Sequence, residues 1–174
     1  YRPDTVDPDE TLLDFYAVYK AGTDSRDTLR GSLAYDPEAA WNEIQKLAVE
    51  FPRHVPTLFT CAAIAYDQRQ YELSATYLDS LFHVEPVHPE AGVLRSRVAI
   101  REGNTNRAAD VLTQQIRYTP DHAGLREALA AVLYLVGDYD DALDELEMAE
   151  RLGSPAWRLD FNLGLIHEVQ GRTE

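Results

Sequence analysis

Along the chain, apolar residues return every three or four positions within stretches long enough for three or four helical turns, and Gly, Pro and Asp punctuate those stretches at regular intervals. The segment "LREALAAVLYLVG" (125–137) reads as a helix running into Gly137, which can adopt positive φ and end it. "GDYDDALDELEMAERLG" (137–153) reads as the next helix. Its Asp138, Asp140 and Asp141 suit the positive end of a helix dipole, and Arg151 suits the other end. The pattern recurs with a period of 34 residues. Gly103, Gly137 and Gly171 fall on it, as do Leu78, Leu112 and Leu146, Ala108 and Ala142, and Tyr71 and Tyr139. One register accounts for all of them. It gives units 55–88, 89–122 and 123–156, followed by a half unit, 157–174. Arg69 holds the glycine's place in the earliest of these units.

Each full unit therefore predicts two helices. Pro52, Pro86 and Pro120 follow the second helices and stop them. Where the paired helices cross, the residues are small: Ala62, Ser96, Ala130 and Gly164 in the first helices, Ser74, Ala108 and Ala142 in the second. Small side chains let backbones approach closely. Residues 1–54 read as an N-terminal helix plus an imperfect first repeat. "PDETLLDFYAVYKAG" has Asp7 as cap and Pro8 at its first position. "DPEAAWNEIQKLAVEFP" is a second helix with Ala40, Ile44 and Leu47 in register. Between them, "TDSRDTLRGSLAY" is irregular.

A 34-residue helix–turn–helix unit with Leu-Gly, then Gly-x-Tyr, then Ala, then Pro resembles the tetratricopeptide repeat family. Unit 123–156 matches best, with Leu129, Gly137, Tyr139, Ala142, Ala149 and the following Ser154-Pro155, and Leu163-Gly164 and Gly171 extend the match. The resemblance covers 55–174. The family's early Trp is replaced here by Leu58, Gly92, Arg126 and Asp160, and its first-helix Tyr by Ala65, Ala99, Leu133 and His167. The resemblance implies an all-α fold, a right-handed superhelical solenoid of antiparallel helix pairs. It also implies a concave side lined by first helices.

The period brings a chemical question, because His54, His88 and His122 follow Pro52, Pro86 and Pro120 at a fixed distance. Three histidines on one period are either metal ligands or helix caps. Equivalent points on packed neighbouring repeats stand about 8–10 Å apart, whereas ligands sit about 2.0–2.1 Å from a zinc. The histidines are thus expected to cap the helices that follow them, and no metal is expected.

Charge narrows the function. With 16 Lys+Arg against 30 Asp+Glu, the net charge of −14 repels polyanions and anionic lipid surfaces, so no nucleic-acid partner is expected. The longest apolar run, Ala128 to Val136, falls short of the roughly 20 residues of a membrane helix, so no direct membrane insertion is expected. Arg outnumbers Lys 14 to 2, which points to a bacterial source. "HEVQG" at 167–171 lacks the second His of a zinc-protease helix, and no phosphate loop, Gly-x-Ser-x-Gly elbow or Cys-x-x-Cys occurs. Cys61, the only cysteine, falls at a core position. The acidic run Asp138 to Glu150 reads as a solvated helix face. Neither catalytic residues nor cofactors are expected, and the chain reads as a non-enzyme.

Residues spaced 3, 4 and 3 along each first helix share one face. They give a candidate partner-binding groove of Phe59, Tyr66, Val93, Arg97, Ile100, Glu127, Tyr134 and Phe161, with Ala63, Ala131, Leu165 and Glu168 on the same face and Arg101 and Leu135 at its border. The face is apolar and aromatic with arginines in the middle, where a carboxylate or carbonyl of a protein or peptide partner would be held. Arg95 is odd, because it stands where the family places a buried Leu; its stem is expected to snorkel. Family members that clamp a chaperone's C-terminal carboxylate use an Asn here replaced by Thr60, Leu94 and Ala128 and present as Asn162, so that clamp is not expected. The leading reading is a scaffold or adaptor. The alternatives are a periplasmic module of a bacterial envelope or polysaccharide-export assembly, and the substrate-presenting arm of a larger enzyme. The periplasm or cell envelope is favoured over the cytoplasm. The half repeat ending at Glu174 leads to the expectation that the array continues and that its exposed terminal helix permits homo-oligomers.

Overall fold

The computed structural model describes residues 7–24 and 36–171. The irregular segment read between the first two helices lies mostly outside them. Among the described residues, nine α-helices and no strands occur. They fall into two compact units divided between Val84 and Glu85.

The first unit contains α1 (Pro8–Asp24), α2 (Pro37–Glu50), α3 (Val55–Asp67) and α4 (Tyr71–Val84). Asp7 starts α1, its carboxylate accepting from Asp9 N–H at 2.9 Å. Asp36 caps α2 through Glu38 N–H and Ala39 N–H, with Pro37 at the first helical position. α1 packs on α2 and α3, α2 on α3, and α3 on α4. Leu12, Trp41, Ile44, Leu47, Cys61 and Ile64 form the core. At the α3–α4 crossing, the expected small pair is in place: Ser74 Oγ donates to Ala62 O at 2.8 Å, a contact that a larger side chain at either position would prevent.

The second unit contains α5 (Pro89–Arg101), α6 (Thr105–Tyr118), α7 (Ala123–Val136), α8 (Tyr139–Arg151) and α9 (Ala156–Val169). Its core runs from Ala99, Ala108, Leu112, Leu125 and Val132 to Ala130, Ala142, Leu146, Leu159 and Ile166. Each fully buried leucine here contributes about 1.5–3 kcal/mol of transfer free energy. Gly164 departs from the expected pattern. Ser96, Ala130, Ala108 and Ala142 are buried at their crossings, whereas Gly164 is exposed, with nothing within 4 Å of a Cβ built on it.

The first helices end alike. Gly103 N–H donates to Ile100 O at 3.0 Å and Asn104 N–H to Ala99 O at 2.8 Å, the paired closure that requires positive φ at the glycine. Gly137 and Asp138 repeat it, and φ is 77° at Gly103 and 89° at Gly137. In α3, Arg69 takes the same role at φ 62°, the only non-glycine with positive φ among the described residues.

Candidate functional site

The histidines stand at the N-caps of α3, α5 and α7. His88 Nδ1 accepts from Ala91 N–H and His122 Nδ1 from Leu125 N–H, each at 3.2 Å. His54 differs. Its side chain caps no backbone group; Nδ1 meets Thr57 Oγ1 at 2.7 Å and Nε2 meets Asp9 Oδ1 at 3.1 Å. Glu90 lies between the other two, reaching His88 Nδ1 at 3.3 Å and His122 Nε2 at 3.4 Å. Burial of Glu90 raises its pKa, but its hydrogen bonds and these two rings outweigh that and leave it below the usual glutamate value. The cluster ties α5 to α7 through side chains, and no group of three or more ligating residues suited to a metal occurs among the described residues.

The loop before α5 is fixed by a residue the sequence did not single out. Gln115 of α6 is buried. Its Oε1 accepts from His88 N–H at 2.9 Å and its Nε2 donates to Pro86 O at 2.8 Å. Gly92 makes room, because a Cβ there would lie 2.7 Å from Gln115 Cγ. The residue replacing the family's Trp is thus small for a local reason.

In the first unit, the candidate groove residues Phe59 and Tyr66 are half-buried, and Tyr66 packs against Tyr71 with ring centroids 5.6 Å apart. In the second unit, Val93 and Ile100 are half-buried and pack against the core, while Arg97 and Arg101 are exposed. Arg95 does not snorkel. It is 2% exposed, and its guanidinium stays inside with Nη1 3.5 Å from Glu102. Glu127 belongs to the scaffold rather than to an open face: Ser154 Oγ donates to it at 2.6 Å and Arg158 approaches at 3.5 Å, joining α7 to the α8–α9 loop and to α9. Arg126 likewise holds α7 to α8, its Nη1 donating to both oxygens of Glu145 at 3.2 and 3.0 Å.

A further accessible feature of the second unit lies on α7 and α9. A cavity of about 230 Å³ opens between them, floored by Ala130, Leu146 and Ile166. Tyr134, Asn162 and Leu165 form its walls, and Ala131 and Leu135 also line it. Leu135 is 53% exposed, and on α9 Phe161 and Val169 are 67% and 50% exposed. Of the groove residues predicted from sequence, the second unit places Tyr134 at this cavity and leaves Phe161 exposed on a helix that lines it.

Two family models, both described as tetratricopeptide repeat, match this chain, one over residues 99–154 and the other over 136–174. Residues 99–174 thus carry tetratricopeptide repeats. No curated protein matches it in sequence. Among solved structures it is similar to TTC0263, a thermophilic tetratricopeptide repeat protein of Thermus thermophilus, at 17% identity and TM-score 0.74, covering 95% of this chain and 84% of that one. It is similar to MamA from Desulfovibrio magneticus RS-1 at 15% identity and TM-score 0.69, covering 94% and 87%. It is also similar to the first such domain of Spaghetti (RPAP3), solved with an HSP90 peptide, at 12% identity and TM-score 0.62, covering 67% and 93%. These likenesses establish the all-α tetratricopeptide repeat solenoid fold.

Proposed function

We propose that the chain is a non-catalytic scaffold that receives a peptide or protein segment on the first-helix faces of its repeats. These faces carry Phe59 and Tyr66 in one unit and Val93, Arg97, Ile100, Arg101, Tyr134 and Phe161 in the other. The observation that carries this reading is the apolar α7–α9 cavity, lined in part by exposed Leu135, with exposed Phe161 one helical turn before the lining residue Leu165. Contiguous apolar surface left in water marks an interaction site more often than chance, and repeat proteins present ligands on such faces. The RPAP3 domain holds a peptide in a related fold, which supports a peptide partner here. Glu127 is dropped from the contact set, since its carboxylate is held by Ser154 and Arg158.

The test is selection of displayed peptides on the intact chain, followed by affinity measurement against a variant with Phe59, Tyr134 and Phe161 changed to Ala. The selected peptides should lose affinity for the variant while its helical circular dichroism is retained. Equal affinity for both proteins would refute the reading.

A further inference from the structure

We infer that the α7–α9 cavity takes one apolar side chain from a partner segment whose flanking residues are lysine or arginine. This rests on the binding role proposed above and adds the partner's chemistry. The cavity, at about 230 Å³, is smaller than the roughly 300–1,000 Å³ of small-molecule sites, and its lining is apolar apart from Tyr134 and Asn162. It fits an anchoring side chain rather than a whole ligand. The wall amide of Asn162 can both donate to and accept from a peptide backbone.

Charge selects among partner segments. Residues 123–171 contain ten Asp and Glu but three Arg. All three arginines pair internally: Arg126 with Glu145, Arg151 with Glu147 and Arg158 with Glu127. Seven carboxylates lie outside those pairs, among them Glu168 on the predicted groove face of α9. The field of this stretch, ten acids against three arginines, is therefore negative overall, with Asp160 and Glu168 the two of the seven that stand on α9. It speeds encounter with a basic segment and disfavours an acidic one. A second copy of the chain, itself at −14, meets the same repulsion.

Three short fluorescein-labelled peptides test this by anisotropy against the full chain. One carries leucines at helical spacing with lysines between, one has glutamate in place of the lysines, and one has serine in place of the leucines. At about 0.15 M salt, the leucine–lysine peptide should bind about tenfold or more tighter than either control. Filling the mouth with Ala131→Phe should weaken it by about tenfold, and the exposed Glu168→Lys by about threefold. Circular dichroism checks that both variants fold. Equal binding of the glutamate peptide, or binding unchanged by both variants, overturns the inference. So does a dimer in light scattering that Ala131→Phe abolishes, because the cavity is then filled by a second copy. If the lysine peptide fails while library-selected peptides still bind and lose affinity in the three-alanine variant, this inference falls and the scaffold reading stands. If no peptide binds at all, both fall.

Discussion

Replacing Arg69 by glycine should make the protein more stable, although it removes a side chain and creates no contact. Arg69 N–H donates to Tyr66 O at 2.9 Å and Gln70 N–H to Ala65 O at 2.8 Å, the same closure that Gly103 and Gly137 make. The closure demands positive φ, and Arg69 adopts 62°. For a residue with a Cβ, that region costs about 1–2 kcal/mol. Glycine removes this cost but gives up about 0.5–1 kcal/mol through its greater freedom in the unfolded chain. The net gain is about 0.5–1 kcal/mol. With a urea slope of about 2 kcal/mol per molar, the midpoint should rise by roughly 0.3–0.5 M. Urea unfolding followed by circular dichroism at an unchanged slope is the assay, with Arg69→Ala as control. Alanine keeps the Cβ and removes the guanidinium, so it isolates loss of a positive charge from a chain at −14. If Arg69→Gly is no more stable than Arg69→Ala, backbone strain at this turn is not what the arginine costs, and the reasoning fails.

Gly92→Ala should destabilise by about 1–3 kcal/mol, since the new methyl meets Gln115 Cγ at 2.7 Å in a packed site. Thermal melts of Gly92→Ala, Gln115→Ala and the double variant form a cycle, and the two changes should cost less together than separately. Gln115→Ala alone should cost about 1–3 kcal/mol by leaving a carbonyl and an amide of the Pro86–His88 loop without their partner. Burial pushes the Cys61 thiol up to about 12, with a lesser opposing effect from its hydrogen bond to Tyr77. The folded state therefore holds its proton more tightly than the unfolded chain. The stability this gives is fully present below the ordinary thiol value of 9.0 and is lost as pH climbs from there toward about 12. Urea midpoints of Cys61→Ala should accordingly fall less than wild type over that range. Native protein at pH 8 should also resist iodoacetamide until it unfolds; rapid native labelling would contradict the burial of Cys61.

The helices were legible because their period is set by local chemistry. α3, α5 and α7 begin 34 residues apart, as do α4, α6 and α8, and glycine, proline and small crossing residues mark the same intervals in the sequence. Side-chain pairings were harder to read. Glu127 lies on the predicted groove face by angle, but Ser154, 27 residues later, and Arg158 claim it. Nothing in the pattern singles out Gln115, and the hint of its burial is Gly92, where a bulky residue is missing. Arg95 stays inside because Glu102 at the end of its own helix is near enough to pair with it. The cavity needed two helices and the floor of a third at once, and no single face pattern contains that.

A serine or aspartate at the start of a helix accepts the amide hydrogen across the whole neutral range. His88 and His122 do so through Nδ1, which requires that nitrogen to carry no proton. Glu90 lies against both rings, its two oxygens reaching His88 Nδ1 and His122 Nε2. A hydroxyl or carboxylate cap would serve only its own helix, whereas these imidazoles also meet a shared carboxylate, so a single change at Glu90 would loosen the starts of α5 and α7 together.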